Sequence, residues 1–160
     1  EAFELKIHTG DGLLDVILNY YLYLAEKEHI EFTVTGKLTG KTGFEMFDLT
    51  TLMGNILQNA LEAAVRTTFP KIRVDITEHK KELFFVVSNS VEKERNTAKR
   101  FLGTSKADRV NHGFGLKNIA AVVHRYHGEY YMESMVENGE AMFKISIAIP
   151  KDFCPGEERV

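Results

Sequence analysis

Two asparagines four residues apart, Asn55 and Asn59 in "GNILQNALEAA", are the first side chains in this sequence whose spacing suggests chemistry. At that spacing both amides share one face of a helix. Their neighbours Ile56, Leu57, Ala60, Leu61 and Ala64 are apolar, so the helix is expected to be mostly buried and its amides to need partners. An amide oxygen is a hard ligand suited to Mg²⁺, and an amide N–H suits a phosphate oxygen. The same amides can instead hydrogen-bond to loop backbone. A third asparagine, Asn89, ends the apolar stretch "ELFFVVSN". Its side chain offers a donor and an acceptor, as the edge of a purine requires, and it serves equally well as a turn former. In "NHGFGLKNI", Gly113 and Gly115 stand ahead of the apolar-periodic run "LKNIAAVVHRY". Glycines there let backbone N–H groups at a helix start face an anion, or they simply make a loop. The pattern is shorter than the dinucleotide fingerprint and follows no strand, and the P-loop pattern is absent. Lys106 in "GTSKAD" and Lys117 are the nearby cations, available to a phosphate or to solvent.

The elements that must position these groups follow from periodicity. A helix is expected over 13–28, starting at Asp11 or Gly12, and a strand over "HIEFTVTG". A second helix runs from Asp48, with Asp48 or Thr50 as N-cap, and is closed by Pro70. Strands "KIRVDITEH" and "ELFFVVSN" form a hairpin through "HKKE". Residues 89–112 are polar, basic and aperiodic, which marks a long loop, and such loops are more often functional than idle. A third helix follows the glycines, then strands "GEYYMESMVEN" and "AMFKISIAIP". The expected fold is α+β, a two-layer sandwich with a mixed, mainly antiparallel five-stranded sheet and three helices on one face. The domain is expected over 1–150, followed by a polar tail over 151–160.

Composition narrows the classes. The 160 residues suit one domain; 44% hydrophobic and 27% charged residues are ordinary for a globular chain. A net charge of −3 gives no reason to expect nucleic acid or an anionic membrane as partner. No apolar run reaches membrane-spanning length, and no signal peptide is visible. The single cysteine, Cys154, excludes an internal disulfide, fits a reducing compartment and reads as an incidental thiol. The chain opens on "EAFELKIHTGD" without an initiator Met, so a piece of a longer protein is expected.

Taken in order, these motifs resemble the ATP-binding fold shared by gyrase, Hsp90, histidine kinases and MutL, the GHKL or Bergerat family. "GNILQNALEAA" looks like its N-box, "VVSNS" stands where its first glycine box would be, and "HGFGLKNI" looks like its second. The leading helix "TGDGLLDVILNYYLYLAEKEHIEF" and the "TSK" element at 104–106 are most similar to the peptide-responsive, quorum-sensing sensor kinases of Gram-positive bacteria. The resemblance implies that Asn59 coordinates Mg²⁺ bridging the nucleotide phosphates, with Asn55 beside it. Asn89 would accept a hydrogen bond from the adenine amine, and residues 90–112 would form an ATP lid. Gly113 and Gly115, with the amides of Phe114 and Leu116, would hold the phosphates, assisted by Lys106.

The resemblance further implies a cytoplasmic domain of a membrane-bound sensor kinase, with ATP and Mg²⁺ as cofactors. It would transfer the γ-phosphoryl to a histidine on upstream dimerisation helices outside this chain, and act indirectly on a response regulator. The fragment itself would be monomeric. His8 lacks the helical context of a phosphoacceptor, and no residue here is assigned as catalytic in its own right. Two departures matter. Thr51 stands where many relatives carry a glutamate or histidine that activates a nucleophile, which argues against autonomous ATP hydrolysis. Glu62 stands where some kinases place a basic residue for phosphate. The alternative is a degenerate, nucleotide-free GHKL module acting in protein–protein interaction. A serine kinase of the anti-sigma-factor type fits the "TGD" helix less well.

Overall fold

The computed structural model describes residues 4–93 and 113–151. Most of the expected lid, Lys106 and nearly all of the expected tail lie outside the described residues. Helix α1 (Gly12–Lys27) begins as its sequence suggests: Asp11 caps it, its Oδ1 accepting the Leu14 N–H at 2.9 Å. The other Asp11 oxygen accepts the Thr42 N–H at 2.8 Å, and the Thr9 carbonyl accepts the Leu38 N–H at 2.6 Å. Gly10 sits between them at φ 109°, where a Cβ would lie 2.5 Å from the Leu38 carbonyl oxygen. The "TGD" run is therefore a fastener that ties α1 to the connector leading to the second helix.

Helix α2 (Met46–Ala64) departs from expectation at both ends. Its N-cap is Glu45, which makes no side-chain cap bond, so neither Asp48 nor Thr50 caps it. Asp48 lies in the first turn, 1% exposed, because partners from a distant segment satisfy its carboxylate. Arg125 Nη1 donates to Oδ1 at 2.9 Å, and the Tyr126 hydroxyl donates to Oδ2 at 2.7 Å. The Tyr126 oxygen in turn accepts the Glu45 N–H at 3.0 Å. At the other end α2 stops at Ala64, well before Pro70, where Thr67 turns back and donates its hydroxyl to the Ala64 carbonyl at 2.7 Å.

The strands are β1 (Glu31–Thr35), β2 (Lys71–His79), β3 (Glu82–Ser90), β4 (Glu129–Glu137) and β5 (Glu140–Pro150), with α3 (Gly113–Arg125) before β4. They form one five-stranded sheet in the order β1-β2-β3-β5-β4. Only the β1–β2 pairing is parallel, as a strand–helix–strand crossover through α2 requires. Both hairpins turn in two residues. Lys80 at φ 53° serves the first, and Asn138–Gly139 at φ 51° and 78° gives the second the twist that antiparallel strands need.

Alternate residues Ile72, Val74 and Ile76, Leu83, Phe85 and Val87, and Ile145, Ile147 and Ile149 are buried under the helices. Helix α2 packs on β2 and β3, with α1 on one flank and α3 on the other. The opposite sheet face carries ion pairs, Lys71–Glu140 at 2.7 Å and Lys144–Glu133 at 2.6 Å among them. No helix among the described residues is long and apolar enough to cross a membrane.

Burial, with the adjoining Asp48 carboxylate, pushes the Tyr126 phenol up to about 12. The folded state then keeps a proton that the unfolded chain releases near pH 10. The stabilisation is fully present below pH 10 and is lost as pH rises towards about 12. Tyr126→Phe is expected to lower stability by about 1–3 kcal/mol at neutral pH. In urea unfolding followed across that window, the gap between parent and variant should narrow; a constant gap would contradict this account.

Candidate functional site

Asn55 and Asn59 lie on the edge of α2 that faces the start of α3. Asn55 is half-buried, and its Nδ2 donates to the Thr51 carbonyl one turn back at 2.6 Å. A carbonyl can only accept, so this bond fixes the amide with Oδ1 turned away from its own helix. Asn59 is exposed, contrary to the expectation that a buried helix would force both amides into partnerships. The apolar stripe of α2 is carried by Leu52, Met53, Ile56, Leu57, Ala60 and Ala64, and Asn59 falls outside it.

The start of α3 completes this group. A Cβ on Gly115 would lie 3.3 Å from Asn55 Oδ1, 3.6 Å from Asn59 Nδ2 and 3.8 Å from Asn59 Oδ1. The absence of a larger side chain at 115 leaves the α3 backbone this close to both amides. Gly113, Phe114, Gly115 and Leu116 are the first four residues of α3, whose N–H groups have no carbonyl of their own helix to bond. That end also carries the positive pole of the helix dipole, and its first turn contains no acidic residue. Leu116 is partly buried against the core, which anchors the turn.

Asn89 is brought to the same side of the sheet but not into this cluster. It is 4% exposed on β3, opposite Ile72 and Phe143, in register with the helix-facing Val87. One N–H of its Nδ2 donates to the Ser90 carbonyl at 3.0 Å, which orients the amide and leaves Oδ1 as its acceptor. Ser90 Oγ lies 3.0 Å from Thr67 Oγ1 and accepts the Lys71 N–H at 3.0 Å, so the end of β3 is tied to the segment after α2. The Thr51 carbonyl and the Ser90–Thr67 pair orient two of the site amides, and nothing in the local sequence pattern marks them.

Among the described residues no group of His, Cys, Asp or Glu could hold a metal. The oxygens available to a hard cation are the two amides on α2, so its charge would have to be matched mainly by the ligand it accompanies, as is usual for Mg²⁺ with phosphates. A cavity of about 170 Å³ lies on the other face of the sheet, lined by Lys71, Arg73, Glu137 and Glu140. Those charges are paired with one another, Lys71–Glu140 at 2.7 Å and Arg73–Glu137 at 3.5 Å, so it is not a better candidate.

Residues 44–150 match the sequence model of the GHKL domain. The chain belongs to the GHKL domain family. No curated protein matches it. Among solved structures, the GHKL fold here is similar to the nucleotide-free catalytic domain of histidine kinase ThkA, with a TM-score of 0.61 and 17% identity over 87% of this chain and 91% of that one. It is similar to the mycobacterial sensor histidine kinase MprB, at TM-score 0.58 and 17% identity over 86% and 95%. The histidine kinase domain of a blue-light activated kinase from Erythrobacter litoralis gives 0.60 and 13% over 97% and 71%. At these identities the likeness is one of fold: three helices over a mixed five-stranded sheet, the architecture of histidine kinase catalytic domains.

A methyl at position 115 meets Asn55 Oδ1 at a distance that only a small shift relieves, whereas branched side chains need more room. Gly115→Ala is therefore expected to fold with a midpoint near the parent's, since alanine gains about 0.5–1 kcal/mol of helix propensity. Gly115→Val should shift the side-chain amide resonances of both Asn55 and Asn59 in NMR spectra; unmoved resonances would contradict the contact.

Proposed function

We propose that this domain binds Mg-ATP between α2 and the N-terminal end of α3, and that it is the catalytic domain of a sensor histidine kinase. The observation that carries this reading is the approach of Gly115 to the amides of Asn55 and Asn59. It sets backbone N–H donors that have no carbonyl of their own helix beside two neutral amides, a combination suited to a polyphosphate and its cation. In this reading Asn59 holds Mg²⁺ with Asn55 Oδ1 beside it, and the N–H groups of residues 113–116 hold phosphate, with Lys106 as a further cation. Mg²⁺, when bound, neutralises developing charge on the phosphates. Asn89, with one N–H held by the Ser90 carbonyl, offers Oδ1 as an acceptor for the amine of adenine, a bond that the carbonyl of guanine cannot make.

The γ-phosphoryl then passes to a histidine on dimerisation helices outside this chain, since phosphoryl transfer depends on positioning and charge and not on a nucleophile supplied here. Thr51 in place of an acidic or imidazole group fits a transferase that does not hydrolyse ATP by itself. The "TGD" helix, Asn89 and the "TSK" element support membership of the peptide-responsive, quorum-sensing branch. In that branch the domain would be cytoplasmic, part of a membrane-bound sensor, and would serve a response regulator indirectly. The ATP-binding unit spans 1–150, with a lid over about 90–112.

Calorimetric titration of the domain with a non-hydrolysable ATP analogue, with and without Mg²⁺ and against GTP, tests the reading. Binding that prefers adenine and strengthens with Mg²⁺ is expected. No heat of binding at about 1 mM nucleotide would favour the nucleotide-free interaction module instead. Asn59→Ala should abolish the Mg²⁺-dependent gain. Asn89→Ala should weaken ATP about 3- to 10-fold and reduce its advantage over GTP; parent-like behaviour of either variant would remove that residue from the site.

A further inference from the structure

We infer that Asp48, Arg125 and Tyr126 act as a positioning clamp that sets the register of α3 on α2, and through it the placement of the α3 N-terminus against Asn55 and Asn59. The inference rests on the Mg-ATP reading above. The two helices run antiparallel, Asp48 meeting Arg125 and Tyr126 at one end and Asn55 and Asn59 meeting Gly115 at the other. Asp48 and Asn59 are eleven positions apart, as are Gly115 and Tyr126, about 16 Å along a helix. A slip or tilt at the clamp is therefore transmitted over an equal length of both helices to the glycine–amide contact.

The rest of the described interface is apolar packing. The buried residues that α3 contributes are Ile119, Val122 and Val123, and α2 presents Leu49, Leu52, Met53 and Ile56 to the same core. The hydrophobic driving force is non-directional, and shape packing alone tolerates small shifts better than a buried charge does. Hydrogen bonds to a buried carboxylate do select, because a displaced partner leaves a charge unsatisfied. The Asp48 side chain is 2% exposed and receives both donors, while the Phe44 ring packs on Tyr126 with centroids 4.3 Å apart. Beyond the clamp the exit of α3 is also locked. His127 at φ 54° and the Gly128 N–H, bonded to the Val123 carbonyl at 2.9 Å, end the helix, and a Cβ on Gly128 would lie 2.6 Å from the Ala148 carbonyl oxygen. With this end held, α3 works as a rigid arm whose other end carries the phosphate-facing amides.

The test uses Tyr126→Phe, which keeps the ring on Phe44 and removes the hydroxyl, and Arg125→Met, whose side chain is 58% exposed in the parent and so endangers folding least. Mg-ATP and adenosine affinities are measured by calorimetry at a temperature where every variant is fully folded. The clamp predicts that Mg-ATP binding weakens about fivefold or more. Adenosine binding, which would be read at Asn89 on β3, should stay within about twofold, as expected for distant sites. A lower thermal midpoint with an unchanged affinity ratio would make the cluster merely structural and overturn the inference. NMR of the nucleotide-free domain decides independently of whether ATP binds. The Gly115 backbone amide and the Asn55 and Asn59 side-chain amides should shift in both variants while the Asn19 side chain on α1 does not; unmoved Gly115 and asparagine resonances would equally overturn it.

Discussion

A carboxylate with almost no access to water is expensive to keep charged, and Asp48 is such a group. Its two oxygens are met by the Arg125 guanidinium and the Tyr126 hydroxyl, and that hydroxyl also accepts the N–H at the helix cap. Removing either donor would strand part of a buried charge, so the start of α2 and the end of α3 are bound to one another. The approach of Gly115 to Asn55 and Asn59 is made between these same two helices. In the proposed reading two helices contribute complementary halves, neutral amides from one and, from the other, backbone donors that have no carbonyl of their own helix.

The same logic of indirect support recurs in the asparagines. Each relevant amide has one group committed to a carbonyl, Asn55 to Thr51 and Asn89 to Ser90, which leaves its oxygen turned outward. An amide free to rotate could exchange the places of its oxygen and nitrogen; one tied through an N–H keeps its oxygen on a fixed side. The orientation of these two amides is thus set by backbone carbonyls whose side chains play no part.

Much of this was legible in the sequence because it is local. The i, i+4 spacing of Asn55 and Asn59, the apolar alternation of β2 and β3 and the Asp11 start of α1 all depend on near neighbours. What escaped depends on distance in the chain. Asp48 looked like a cap because Ser, Thr, Asp and Asn usually cap, but its partners lie 77 and 78 residues away. The early stop of α2 at Ala64 turns on Thr67 and its link to Ser90, again a tertiary matter. Asn59 was expected to be enclosed because its neighbours are apolar, yet a helix flanked on both sides and floored by a sheet still has an outer edge.

The lone parallel pairing has a consequence for how the chain assembles. Hairpins β2–β3 and β4–β5 close over two-residue turns, so their first contacts form at little entropic expense. Strand β1 cannot join until the whole of α2 has been laid across the sheet, since Glu31 pairs with Lys71 forty positions later. It is also a short edge strand of five residues with one hydrogen-bonded neighbour. The two hairpins are then the early-forming units, and the pairings β1–β2, forty positions apart, and β3–β5, 52 to 68 apart, are the ones that must wait.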